Sequence, residues 1–256
     1  MPTRLIVNAD DFGFSRGVTD GILRCHAQGI LTSTTLMTTM PDGDRALGLA
    51  REHPSLGVGV HLSLTQGKPR SRCRRLAGRD GEFVRSLPRI WLKLRSRAAR
   101  QEARDELIAQ IEYARSHGLS PTHVDSHKHV CHIPALHEPF IAACKATGIG
   151  WVRTAREAAI PDMPRMSLSY RRLNAYAGLL AQRIRAAGLQ NTDWFFGLAP
   201  PGRPPAALWR RLFANPPAGL GEVMVHPGFL RDVPAGETRL IQERVTEMDA
   251  LCDPSL

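Results

Sequence analysis

The sequence predicts an α/β fold, a distorted (β/α) barrel of about seven parallel strands. Two patterns carry that expectation. Short β-rich runs alternate with stretches of helical periodicity, which implies a parallel sheet with crossover helices. Chemistry-bearing residues fall at the carboxyl ends of several separate strands, and a closed or nearly closed barrel gathers such residues at its mouth. A doubly wound open sheet satisfies the first pattern and gathers those residues less easily. The length of 256 residues suits one barrel domain spanning 1–256. No repeat of solenoid period is present.

Strands are expected at Arg4–Asn8, Ser33–Thr39, Val58–Leu64, Thr122–Ser126, Trp151–Arg153, Asp193–Gly197 and Glu222–His226. Between them, Ala103, Leu107, Ile111 and Ala114 recur at helical spacing, as do Leu173, Tyr176, Leu180 and Ile184. Another helix starts near Arg16 and another near Pro134. Gly118, Gly148 and Gly188 stand where helices should stop. The last helix is expected from about Glu237 to Leu251.

Composition narrows the function classes. Hydrophobic residues make up 43% of the chain, enough for a core and against disorder. No run approaches the roughly 20 apolar residues of a membrane span. The N-terminal MPTRLIVNADDFG is too short and too acidic in its apolar part for a signal peptide. Cys25, Cys73, Cys131, Cys144 and Cys252 are widely spaced and lack a CxxC pair, which fits reduced thiols. The expectation is a soluble, cytoplasmic protein.

The formal net charge is +10, and the segment from Gly67 to Arg100 alone, with twelve Lys or Arg against Asp80 and Glu82, accounts for all of it. The basicity therefore belongs to one insertion, 66–101, after the third strand. A uniformly basic nucleic-acid binder has a different distribution, and only Phe83 and Trp91 are there to stack on bases. No nucleic-acid partner is expected. Within the insertion, LPRIWLKLRSR sets Ile90, Trp91, Leu92 and Leu94 among cations. It reads either as a lid touching anionic lipid or as a surface loop with a short core-packed helix.

Four constellations could carry chemistry. NADDFG puts Asp10 and Asp11 directly after the first strand, where one carboxylate could hold a cation and the other accept a proton. An N-cap before the next helix is the structural alternative. VGVHLSLT places His61 late in the third strand, with Val60 facing the other way; a packed core histidine is the alternative. THVDSHKHVCH holds His123, His127, His129 and His132. Neutral imidazoles bind divalent metals. Extended spacing would put Asp125, His127 and His129 on one face, with Asp125 orienting an imidazole and Cys131 turned away. EVMVHPG closes the seventh expected strand with His226, whose imidazole suits a proton donor.

A metal bound by Asp11, His61 and His127 leaves room for water, whose pKa falls from 15.7 to about 7 on a good Lewis acid. Asp10 could take its proton and His226 could protonate a departing nitrogen. The reaction class is metal-assisted amide hydrolysis.

At these residues the chain resembles the YdjC-like carbohydrate deacetylases, a group with chitooligosaccharide and hopanoid-associated members. The resemblance rests on LIVNADDFG, GILTSTTLM, GVHLSLTQGKP, PTHVDSHKHVCHIP and EVMVHPG, in order from about residue 4 to 230. It implies a (β/α) barrel-type fold, a divalent metal (Mg²⁺ or Zn²⁺), a homodimer, and deacetylation of an N-acetylated amino sugar or glycolipid. Carried over by position, Asp10 is the base, Asp11, His61 and His127 the ligands, and His226 the acid. Arg153 steadies the base or the substrate carbonyl region, His129 is a second substrate contact, and Asp125 stands behind the ligands. A metal-dependent phosphoesterase is the enzymatic rival. A basic nucleic-acid-binding module is the non-enzymatic one.

Overall fold

A computed structural model describes residues 3–158, 166–198, 206–233, 236 and 238–255. Six strands form one sheet: β1 (Arg4–Phe12), β2 (Ser33–Leu36), β3 (Gly57–Leu62), β4 (Val124–Ser126), β5 (Trp194–Phe196) and β6 (Leu220–Val225). The order is β4-β3-β2-β1-β6-β5, and every pairing is parallel. Parallel neighbours need crossovers, and the helices supply them: α1 (Arg16–Gln28), α2 (Gly43–Glu52), α3 (Leu87–Lys93), α4 (Arg97–Ser116), α5 (His137–Ala146), α6 (Leu168–Ala186), α7 (Ala206–Ala214) and α8 (Gln242–Leu251).

The sheet curls into a half-barrel, with β4 and β5 at its edges. The expected strand Trp151–Arg153 reduces to isolated bridges, which is the main difference from the sequence reading. Val152 pairs with Val124 of β4, Trp151 with Gln190, and Glu157 with Phe195 of β5. The segment therefore crosses from one sheet edge to the other. Its backbone groups are divided between partners, Arg153 N–H donating to Val124 and Ala158 N–H to Phe195, so no continuous ladder forms.

β1 runs longer than the apolar run RLIVN suggests and carries both aspartates near its end. β2 is shorter than expected because Met37 N–H turns to the Phe12 carbonyl and the chain then tightens through Met40. α1 is capped by Ser15, whose hydroxyl accepts from Val18 N–H, and not by either aspartate. α4 buries Ala103, Leu107, Ile111 and Ala114 as its periodicity predicts, whereas Tyr176 of α6 is exposed. Gly118 and Gly188 follow α4 and α6 at φ of 85° and 80°, conformations that end a helix at little steric cost to glycine. α8 begins at Gln242; Glu237 lies outside the described residues.

The insertion docks on α4. Buried Glu106 accepts from Arg70 N–H, Ser71 N–H, the Ser71 hydroxyl and the Gln110 amide. Glu102 accepts from Arg75 and Leu76 N–H. Leu76, Phe83, Ile90 and Leu94 are buried in the main core.

Candidate active site

Asp10 and Asp11 lie where β1 breaks its register with β2, between Ala9 and Phe12. Asp11 takes φ 71°, a left-handed conformation that a non-glycine residue holds only under constraint. Strand alternation is interrupted there, and the two carboxylates meet different partners.

Asp10 is held by Arg153 through one charge-assisted hydrogen bond, Nη1 to Oδ2 at 2.8 Å, and an ion pair of Nη2 with Oδ1 at 2.7 Å. The Asn8 amide donates to the same carboxylate at 3.1 Å. Burial opposes its charge, but the Arg153 guanidinium holds its pKa well below the usual carboxylate range. Arg153 is itself almost fully buried and also pairs with Asp125 at 2.5 Å and Glu222 at 2.6 Å.

Asp11 faces two ways. Its Oδ2 accepts from Arg244 Nη2 at 2.6 Å, and its Oδ1 lies 3.1 Å from His127 Nδ1 and 3.5 Å from His61 Nε2. Burial again opposes the charge, and Arg244 together with His127 and His61 outweighs it, holding the pKa well below the usual carboxylate range. His61 sits opposite Asp125 in the β3–β4 ladder and shares a 2.7 Å bond through Nδ1, while Thr35 donates to the other Asp125 oxygen at 3.0 Å. Burial works against a charged His61, but Asp125, Asp10 and Asp11 lift its pKa to about 9. This pocket favours positive charge.

His127 Nε2 lies 2.7 Å from Gln66 Oε1. A glutamine carbonyl only accepts, so Nε2 carries the hydrogen and Nδ1 presents a lone pair. Nδ1 is 3.3 Å from His61 Nε2. With His61 donating Nδ1–H to Asp125, three potential ligand atoms converge, Asp11 Oδ1, His61 Nε2 and His127 Nδ1, and a cation bound there takes the place of the Nε2 proton that the carboxylates otherwise hold on His61. Their separations of 3.1, 3.3 and 3.5 Å lie within or about 0.1 Å above the ~3.0–3.4 Å between neighbouring ligands around an ion with bonds of about 2.1 Å. The residues present fit a divalent cation. A second group, Asp10, His61 and Asp125, also comes together, but the Arg153 guanidinium already occupies it.

His226 follows β6, with Nε2 3.9 Å from Asp10 Oδ2 and Nδ1 buried without a partner. Burial pushes its pKa down to about 4, so the resting imidazole is neutral. The side chains of His127 and His226, each 11% exposed, are the most accessible of the group.

His129 is placed differently from the sequence expectation. The run from His127 to His132 is a 3₁₀ turn in which Lys128 and His129 both take positive φ, 52° and 51°. Extended alternation therefore does not apply. His129 is absent from the acceptor group and packs edge-on to His132 and Phe195, with ring centroids at 5.4 and 6.4 Å.

Three contacts have no counterpart in the sequence reading. Arg244 comes from α8, fully buried at its helix face with Glu247, Met248 and Leu251. A cation at that spacing among buried positions is a signal for an internal ion pair. Glu222 and Gln66 lie inside quoted motifs, but nothing local to them names Arg153 or His127 as partner.

A cavity of about 430 Å³ opens at the opposite, amino-terminal end of the strands, where Leu5, Gly57, His123 and Leu220 line it with Arg153 and Glu222. Arg153, which bonds Asp10, stands between it and the strand ends that bear the aspartates.

A parallel half-barrel with an Asp–His–His group at its carboxyl end defines an α/β protein with a group that could hold a metal ion. A family model described as YdjC-like protein matches residues 4–256, and the chain belongs to that family. It is 36% identical over 259 residues to a carbohydrate deacetylase of Geobacillus stearothermophilus, covering 100% of this chain and 92% of that one. A carbohydrate deacetylase of Clostridium beijerinckii is 32% identical over 249 residues, covering 97% and 91%. A crystal structure of a "putative cellobiose-phosphate cleavage protein" from Enterococcus faecalis shares the fold, with a TM-score of 0.74 and 24% identity over 98% of this chain and 90% of that one.

Proposed function

We propose that this chain is a metal-dependent carbohydrate deacetylase that hydrolyses the N-acetyl group of an amino sugar. One observation carries the reading: the convergence of Asp11 Oδ1, His61 Nε2 and His127 Nδ1 beside an ionised Asp10. Full-length similarity to carbohydrate deacetylases supports the same chemistry.

Asp11, His61 and His127 would hold the divalent ion, Mg²⁺ or Zn²⁺. When bound, such an ion polarises a carbonyl and lowers the pKa of water toward about 7. Asp10 accepts a proton from the attacking water, and Arg153 keeps it ionised and fixed. Water adds to the acetamide carbon, the C–N bond breaks, and acetate and a free amine leave. His226 starts neutral, so it serves as acid only after taking up the proton that Asp10 received from water, its Nε2 lying 3.9 Å from Asp10 Oδ2. The amine nitrogen then receives that proton. Asp125 orients His61, and Arg244 anchors Asp11. His129 and Arg153 border the space for substrate, a chitooligosaccharide or a lipid-linked amino sugar.

The free thiols of Cys25, Cys73, Cys131, Cys144 and Cys252 support a reducing compartment such as the cytoplasm. Among the described residues no helix is long and apolar enough to cross a membrane.

A phosphoesterase with two metals is less well supported, because Arg153 fills the second acidic group. The deciding experiment measures acetate release across N-acetylated sugars and glycolipids, with p-nitrophenyl phosphate as the rival substrate. Metal-dependent acetate release is expected; phosphate release without acetate release would reverse the reading.

A further inference from the structure

Beyond Gln66 the basic insertion is not used by the reaction, and its helix α3 faces two ways. Ile90 and Leu94 are fully buried and fasten the helix to the core. Leu87, Trp91 and Leu92 are 37%, 55% and 60% exposed. At 100° per residue these three share one arc of the helix, and Arg89 and Lys93 lie on the adjoining arc. Single exposed leucines are ordinary, but three large apolar side chains within six positions, tryptophan included, form a patch.

Much of the charge of this segment is also unneutralised. The segment's ion pairs include Arg75 with Glu102 and Arg85 with Glu82. Among the described residues, Arg72, Arg74, Arg79, Arg89, Arg95 and Arg97 pair with no carboxylate, and all six are exposed.

We propose that α3 and its flanking arginines form a docking surface for an anionic lipid bilayer. Tryptophan and leucine favour the headgroup boundary, and arginine and lysine are attracted to anionic headgroups. A nucleic acid would satisfy the arginines and leave Leu87 and Leu92 unexplained. Phe83 is buried, so Trp91 is the one aromatic of this segment free to stack on a base. The insertion leaves the sheet after β3, at the same strand ends that carry the aspartates. This inference stands apart from the deacetylase reading and does not need it.

The test is flotation of the full chain with phosphatidylcholine–phosphatidylglycerol vesicles, against phosphatidylcholine alone and against duplex DNA. The variants are W91S/L92S and R89E/R95E. All four side chains are exposed, and unchanged thermal melting verifies the fold. Co-flotation with the anionic vesicles is expected, reduced at least about ten-fold in each double variant and at high salt. Absence of flotation, flotation undiminished in W91S/L92S, or binding to DNA in place of vesicles would each overturn the proposal.

Discussion

Gln66 Oε1 accepts a 2.7 Å hydrogen bond from Nε2 of His127, so the first residue of the basic insertion fixes which imidazole nitrogen faces Asp11. A partner of this kind sets tautomer and ring orientation, and loss of one typically costs 10–100-fold in metal affinity. Gln66→Leu is expected to weaken Zn²⁺ binding by about ten-fold or more. Competition against a chromophoric chelator measures it, and wild-type affinity in the variant would remove Gln66 from the account.

Asp10 touches Arg153 and lies outside the three-atom acceptor group. Asp10→Asn is therefore expected to keep metal affinity while turnover falls by roughly 10²–10⁴. Parallel chelator competition and acetate release separate these effects. A variant that retains near-normal rates would show that another group is the base.

Arg153 balances Asp10, Asp125 and Glu222 in the barrel interior. Removing one partner from a buried ionic network commonly costs about 3–5 kcal/mol, because the remaining charges stay buried. Arg153→Met is expected to destabilise the fold by about that amount in urea unfolding. A loss below about 1 kcal/mol, the range of surface pairs, would contradict the network.

Arg244 reaches from α8 to Asp11 Oδ2 at 2.6 Å. Arg244→Gln releases that carboxylate and is expected to lower metal affinity by about 10-fold or more. Isothermal titration reads this directly; an unchanged isotherm would make Arg244 a purely packing residue.

Much of this arrangement is legible in the sequence because it is local. Asp10, Asp11, His61 and His226 belong to short motifs at strand ends, and the βα alternation brings such ends together. His127 lies just past β4, and its neighbour His129 shows the limit. Left-handed backbone at Lys128 and His129 carries no glycine to announce it, so an alternation rule misplaces the second histidine. Trp151–Arg153 misleads for another reason: its β-forming side chains are present, but the backbone divides its hydrogen bonds between two sheet edges. Gln66, Glu222 and Arg244 stay hidden because their partners lie 61, 69 and 233 positions away. Only the folded sheet brings those pairs into contact.

The central claim is that Asp11, His61 and His127 hold one divalent ion. The most direct measurement is calorimetric titration of Zn²⁺ into metal-free wild type and His61→Ala. The account predicts one site in the wild type and at least about 100-fold weaker binding in the variant. Equal stoichiometry and affinity in the two proteins would contradict it.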